Sequence, residues 1–325
     1  MTTALANRIG ITHVATTSSA GEPPEHANRT AADEPVGGQG LDSLERPSSA
    51  RIYDYLLGGH NNYAIDREFA DKQEKIFPDI GNAMKSNRAF TIRAIRYAIG
   101  AGICQVVDIG SGLPSPGQAH DIADTEFPER GVRVVYVDNE PIAHAHSEVL
   151  LGSGTDPDRH AAVFGDYFDA DDLWQKIVDT GAIDPEEPTC LLVTALLHFM
   201  LPATRPEAAM RRYRELLAPG SVLVLTHGSL AEDDTAGHAV AANYAHTTNP
   251  DTFSRTAAEL TEFFGDWDLV DPGVVWTVQW RPPPEHAPWW GYTPSRARYL
   301  AGVAVKPLGA STSEDASGVD TSHRS

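Results

Sequence analysis

The stretch Val106-Val107-Asp108-Ile109-Gly110-Ser111-Gly112-Leu113-Pro114 decides the fold class of this chain. A short apolar run leads into an acidic residue and then a Gly-x-Gly turn. An α/β domain uses such a turn to present backbone N–H groups to a nucleotide-like ligand. Gly110 and Gly112 have no Cβ, so the chain can turn tightly and approach a ligand closely. Asp108, at the carboxyl end of the strand, adds a hydrogen-bond acceptor at the mouth of the sheet.

Working outward, strand and helix patterns alternate. Strands are expected at 104–109, 132–138, 161–165, 190–197 and 221–227, with helices at 117–127, 140–151, 169–179 and 203–217 between them. The strands are near-continuous apolar runs such as "CLLVTALL" and "SVLVLT". That pattern predicts a mostly parallel sheet covered on both faces. A further helix, "SRTAAELTEFF", opens with Ser254 as its expected N-cap, and two closing strands near 268–279 and 299–305 complete a seven-stranded sheet. "RPPPEHAPWWGYTP" reads as a Pro-rich loop. Trp276, Trp280, Trp289, Trp290 and Tyr292 cluster near the C-terminal end, as pocket wall, interface or, by default, core. Upstream, 46–100 reads as helical. Met84, Ile92, Ile95 and Ile99 fall on one face, with Arg88 in the middle of that stripe. A charged residue there needs a partner or a ligand. Residues 1–45 and 307–325 read as disordered tails.

Composition narrows the function. The net charge is −20, of which about −14 belongs to the part between the tails. This excess argues against binding nucleic acid phosphates or anionic lipid. Two cysteines, Cys104 and Cys190, start expected strands and read as core residues of a reducing compartment. There is no signal-peptide pattern, and no apolar run approaches the roughly 20 residues of a membrane span. The expectation is a cytoplasmic protein with no membrane and no nucleic-acid partner. The oligomeric state is not readable. None of the 13 histidines pairs at metal-ligand spacing with Cys or carboxylate support, and no metal is expected.

The spacing around the glycine turn separates two ligands. A dinucleotide fingerprint wants a third Gly three residues after Gly112, where this chain has Ser115. The second strand ends in Asp138, placed to accept ribose hydroxyls. The third ends in "FGDYF", where Asp166 could accept from an exocyclic amine. The fourth ends in "TALLHF", where His198 faces the same crevice at the topological switch point. Three carboxylates suit a nucleoside carrying positive charge better than an anionic pyrophosphate. S-adenosylmethionine is such a ligand. His198 is the candidate general base for an O- or N-methyl acceptor, with a structural histidine as the competing reading.

Between Pro47 and Lys306 the chain resembles the S-adenosylmethionine-dependent methyltransferases of actinobacteria grouped as DUF574. The segments that carry the resemblance are "PSSARIYDYLLGGHNNYAIDRE", "NRAFTIRAIRYA", "DIGSGLPSPG", "VVYVDNEPIAHAH", "LLHFMLP", "LAPGSVLVLTH" and "DPGVV". The resemblance implies a class I methyltransferase (Rossmann-like) α/β fold, with a helical lid at 46–100 ahead of the domain at 101–306. It implies S-adenosylmethionine as cofactor, held by Asp108, Gly110, Ser111 and Gly112. Asp138 and Asn139 would hold the ribose, Asp166 and Tyr167 would border the adenine, and Ala195 and Leu196 would line the fourth-strand wall. Asn61 and "FGDYFDA" depart from the family pattern.

Asn62, Tyr63 and Arg67, with Arg88, are expected either to close over the methionine end of the cofactor or the substrate, or to be a structural cap with surface ion pairs. The implied function is methyl transfer to an unidentified, small-molecule acceptor. The alternatives are an NAD-dependent oxidoreductase and a non-catalytic protein that binds S-adenosylmethionine or S-adenosylhomocysteine.

Overall fold

Every residue of β1 (Gln105–Ile109) is buried, because it has a parallel neighbour on each side: β2 (Arg133–Asp138) and β4 (Cys190–Val193). The computed structural model describes residues 45–115, 117–152, 155–247, 252–283 and 293–308. Nearly all of both expected tails, and Trp289, Trp290 and Tyr292, lie outside these residues. The sheet continues through β3 (His160–Phe164), β5 (Val222–Gly228), β6 (Asp268–Leu269) and β8 (Tyr299–Val305), in the order β3-β2-β1-β4-β5-β8-β6. β1 to β5 are parallel, and β8 runs antiparallel to β5. The order reverses between β1 and β4, so the crevice expected at a switch point opens there.

Alternation along β1 sends Val107 and Ile109 into one core layer and Val106 into the other. The first layer packs under α6 (Ala170–Asp179), α7 (Pro206–Leu216) and α9 (Ala257–Glu262). The second packs under α3 (Ile80–Gly100) and α4 (Ala119–Glu126). α5 (Pro141–Gly152) follows β2. Trp280 is buried edge-on against Phe90 and Tyr97 and so belongs to the core, while Trp276 packs partly buried against it.

Several elements differ from the sequence expectation. The closing strand at 268–279 splits into β6 and β7 (Val275–Trp276), giving eight strands. Pro272 has no N–H for a ladder, and Gly273 takes φ +82°. β4 stops at Val193 rather than 197, because Ala195 turns to φ +53° and Leu197–Phe199 forms a 3-10 turn. α9 is capped by Thr256, not Ser254. Thr256 and Glu259 form a reciprocal capping box, while the Ser254 hydroxyl accepts from the Leu230 amide at 2.9 Å. α8 (Thr235–Thr247) has no apolar stripe in its sequence and was not expected. The buried face of α3 is wide, running from Ala83, Asn87 and Phe90 through Ala94 and Ala98 to Ile95 and Ile99, so two residues of the expected stripe are core while Met84, Arg88 and Ile92 are half-buried. Polar residues occupy that face because they find partners: Ser86 bonds Thr277, and Thr91 bonds the Asn87 carbonyl. Cys190 is buried as expected, but Cys104 is only half-buried.

The segment ahead of the sheet is tied together by one buried ion pair. α1 (Ser49–Leu57) and α2 (Ala64–Ile76) meet where Arg51 Nε donates to Asp66 Oδ2 at 2.7 Å, both side chains fully buried. Asp66 also accepts from the amides of Ser48 and Tyr63, each at 2.9 Å, so one carboxylate anchors the start of both helices. Arg51 donates in addition to the Arg46 carbonyl at 2.8 Å. Removing one member strands the other charge in the interior. We therefore expect Asp66→Ala to cost about 3–5 kcal/mol, read as a lower urea midpoint at unchanged slope. An unchanged midpoint would contradict this assignment.

Candidate functional site

The register that sets Ile109 opposite Val137 brings the loop after β1 beside the end of β2. The Gly110 and Ser111 amides donate to the Val137 carbonyl at 2.8 and 3.0 Å. The Gly112 amide donates to Asp138 Oδ2 at 2.8 Å. This corrects the expectation that the turn offers its N–H groups to a ligand, because all three are already engaged. What the turn supplies is room. Gly110 sits at φ +74°, and a Cβ there would come within 2.9 Å of the Leu196 side chain. A turn without free amides has little to offer a pyrophosphate.

Above it lies a cavity of about 1140 Å³, larger than the roughly 300–1,000 Å³ that encloses one drug-sized ligand. One side is bordered by Asp108, Asp138, Glu140 and Asp166, following β1, β2 and β3. Burial raises the Asp108 carboxyl to about 7 against the opposing charge of Arg88, and the nearby Asp138 adds to the rise. Burial also raises Asp138, partly offset by the amides of Glu140 and Gly112 that it accepts. Each carboxylate oxygen keeps a lone pair beyond these bonds. Asp166 accepts from Asn139 Nδ2 at 3.0 Å and from the Phe168 amide at 2.9 Å.

Tyr167 borders the cavity but its hydroxyl is turned to the core, donating to the Pro206 carbonyl at 2.8 Å. The aromatic face exposed beside Asp166 is Phe168, 41% exposed. Sequence reasoning missed Phe168 and Glu140, although both stand inside segments it quoted.

The other side follows β4 and β5. Ala195 and Leu196 border it, and the Ala195 amide donates to Thr226 Oγ1 at 2.8 Å. His198 is buried, and burial together with the charge of Arg255 lowers its pKa to about 3. This departs from the general-base expectation, because a ring with so low a pKa is a weak base. Arg255, absent from the sequence candidates, braces the turn that carries His198. It donates to the Leu197 and Met200 carbonyls and to His227 Nε2, each at 2.9 Å.

The segment before the sheet divides into two sets of residues. Arg88 borders the main cavity and donates to the Ser115 carbonyl at 3.2 Å. Asn62, Tyr63 and Arg67 do not border it. Asn62 donates to Asp54 at 2.8 Å, and Arg67 donates to the Asn62 carbonyl at 2.9 Å. The Tyr63 ring, 43% exposed, lies under the Arg51 guanidinium. These residues knit α1 to α2, while Tyr53 and Asp54 of the same signature reach the cavity. A Cβ on Gly59 would collide with the Asp54 carboxylate, so this loop requires glycine there. Among the described residues no cluster of three or more His, Cys, Asp or Glu could hold a metal ion. No helix among them is long and apolar enough to cross a membrane.

A family model described as S-adenosyl methyltransferase matches residues 38–307. A crystal structure of a candidate methyltransferase from Thermobifida fusca is 32% identical, covers 84% of this chain and all of its own, and superposes with a TM-score of 0.74. A DUF574 family protein from Streptomyces avermitilis is 36% identical over 81% of this chain and 98% of its own, also with a TM-score of 0.74. A Rhodococcus jostii protein described as a candidate S-adenosyl-L-methionine-dependent methyltransferase is 30% identical over 61% of this chain. The match spans 60% of that relative, and another match spans 38% of a Mycobacteroides abscessus protein of the same description. The chain belongs to the S-adenosyl methyltransferase family and has its class I α/β fold.

S-adenosylmethionine is the cofactor of that family, and the residues around the cavity fit it. Ser111 Oγ borders the cavity, is buried, and has no hydrogen-bond partner among the described residues, and the buried Glu140 Oε1 beside it has only the Arg51 guanidinium, at 3.9 Å. The desolvated carboxylates are matched by a ligand with two cationic centres. Asp108 also sets a stability signature. Its folded pKa lies above the ordinary 3.8, so its favourable contribution is complete below 3.8 and is lost as pH rises through about 7. At about 1.4 kcal/mol per pH unit, the loss approaches about 4 kcal/mol. Asp108→Asn should therefore gain stability relative to the parent chain as pH rises from about 5 to about 8 in urea titrations. A difference that does not change with pH would contradict the desolvated carboxylate.

Proposed function

We propose that this chain is a methyltransferase that takes its methyl group from S-adenosylmethionine and passes it to a small-molecule acceptor in the same cavity. The observation that carries the reading is the set of carboxylates, Asp108 buried and Asp138, Glu140 and Asp166 partly so, around a glycine turn whose amides are already engaged. In this reading Asp138 accepts the ribose hydroxyls. Asn139 and Asp166 border the adenine edge, with Phe168 as the stacking face. Asp108 faces the ammonium, Arg88 the carboxylate, and Gly110, Ser111, Ala195 and Leu196 form the walls. Residues 46–100 serve as the cap, acting through Tyr53, Asp54 and Arg88.

Bound there, S-adenosylmethionine supplies a methyl carbon already activated by its sulfonium. The chain's own residues then hold the two ligands in line and exclude water, which suffices for much of the barrier to a direct displacement. His198, a weak base, orients the acceptor instead of deprotonating it. The net charge of −20 and the carboxylates on the cavity support a small acceptor over nucleic acid. The unpaired Cys104 and Cys190 fit a reducing, cytoplasmic setting.

In calorimetric titration, S-adenosylmethionine and S-adenosylhomocysteine should bind and NAD should not. Asp138→Ala should weaken the first two by about tenfold or more, the worth of hydrogen bonds to a charged group. Tight NAD binding without sulfonium binding would overturn the reading. Affinity for the cofactor should rise with pH up to about 7 and then level off, because a cationic ligand binds the ionised Asp108 and displaces its proton. Asp108→Asn should abolish that slope. Labelled methyl groups incubated with a cell extract should appear in the small-molecule fraction. Label confined to macromolecules would refute the acceptor class, and tight binding without any transfer would mark a non-catalytic binder.

A further inference from the structure

The side of the cavity beyond Leu196 has a chemistry of its own. His198 stands on the 3-10 turn after β4, and its ring packs against Gly228, where even a Cβ would come within 3.3 Å of it. The Gly228 amide donates to His198 Nδ1 over 3.4 Å. A ring nitrogen that accepts carries no proton, so the single proton of the neutral imidazole is on Nε2.

The surroundings hold this arrangement. Arg255 grips the carbonyls on either side of His198, and its charge and the burial of the ring keep the imidazole neutral. The neighbouring His227 is locked the other way: Nδ1 lies 2.6 Å from the Gly228 carbonyl and Nε2 accepts from Arg255. The Phe253 amide takes the His198 carbonyl at 2.7 Å, and the Ser229 hydroxyl takes the Arg255 carbonyl at 2.7 Å. His198 Nε2 makes no hydrogen bond among the described residues, and the ring borders the cavity. One fixed N–H donor is therefore left for a ligand.

The walls around it are apolar and aromatic. Phe199 lies 4.1 Å and Tyr299 5.8 Å from the His198 ring, centroid to centroid. Phe77, Ile80, Met84 and Tyr244 line the space beyond. Such walls bury a ring-bearing molecule, and the neutral imidazole donor favours an oxygen that accepts a hydrogen bond, while the Arg298 guanidinium, stacked on Phe77, also borders the cavity.

We propose that this chamber takes an apolar, ring-bearing molecule carrying a carbonyl or ether oxygen, and that His198 Nε2–H is the specificity-determining donor to that oxygen, with Arg255 as the positioning residue. That this molecule is the methyl acceptor rests on the methyltransferase reading; the donor assignment does not.

Two measurements on the full chain test it. In nitrogen-15 imidazole spectra, His198, assigned by its loss in His198→Phe, should be protonated on Nε2 from about pH 5 to about pH 8. In Arg255→Met its titration should move upward. Protonation on Nδ1, or titration of the parent ring in that range, would overturn the proposal. The second measurement compares binding of 2-acetylnaphthalene with that of its hydrocarbon isostere 2-isopropylnaphthalene, in the presence of S-adenosylhomocysteine. The ketone-to-hydrocarbon affinity ratio should fall about 2- to 12-fold in His198→Phe, the worth of one hydrogen bond. His198→Gln, which keeps an N–H donor, should retain more of the ratio. An unchanged ratio in His198→Phe would overturn the proposal. If the spectra and probe ratio hold while S-adenosylhomocysteine fails to bind, the methyltransferase reading falls and the donor assignment stands.

Discussion

The hydrogen bond from the Gly112 amide to the Asp138 carboxylate, 2.8 Å long, joins the first two strand ends of the sheet. It closes the glycine turn on itself, together with the two amides given to Val137. It also fixes Asp138 at the rim of the crevice with one oxygen facing β1. A turn built this way leaves none of these three amides for a phosphate, and the carboxylates around it add negative charge at the same place. Asp108 sits behind the turn without a cation of its own beyond Arg88, and burial holds it half-protonated near neutral pH.

The fold was legible because the strands of a doubly covered parallel sheet are apolar on both faces. "CLLV" and "VLVLT" left little else to read, and the acid–Gly-x-Gly signature marked which strand lies at the centre. Where the reading failed, tertiary contacts had overridden local pattern. Ala195 adopts a left-handed conformation that no propensity foretells, with its amide held by Thr226. The core face of α3 carries Ser86, Asn87 and Thr91, whose polar groups are satisfied by partners distant in sequence or one turn away. An apolar-stripe search therefore found Ile95 and Ile99 but not the polar part of the buried face.

The candidate site divides along the same line. Asp108, Asp138 and Asp166 were readable because strand ends converge by topology alone. Tyr167 and Phe168 are adjacent, and only the packing of Tyr167 onto Pro206 decides which ring meets the cavity. The N-terminal signature was informative as a pattern but misleading residue by residue. Most of its polar side chains bond one another to hold α1 against α2, and few of them reach the cavity. Arg255 had no sequence signal beyond being a charge beside a helix start. Its role comes from the three acceptors it meets on two other elements.

The most direct test of the central claim, that the carboxylates at the strand ends form the nucleoside site, is a crystal structure of the full chain grown with S-adenosylhomocysteine. The account predicts ribose hydroxyls on Asp138, the adenine against Phe168 beside Asp166, and no ligand atom bonded to the amides of Gly110, Ser111 or Gly112. A ligand seated elsewhere, or a turn that releases those amides to bind it, would contradict the account.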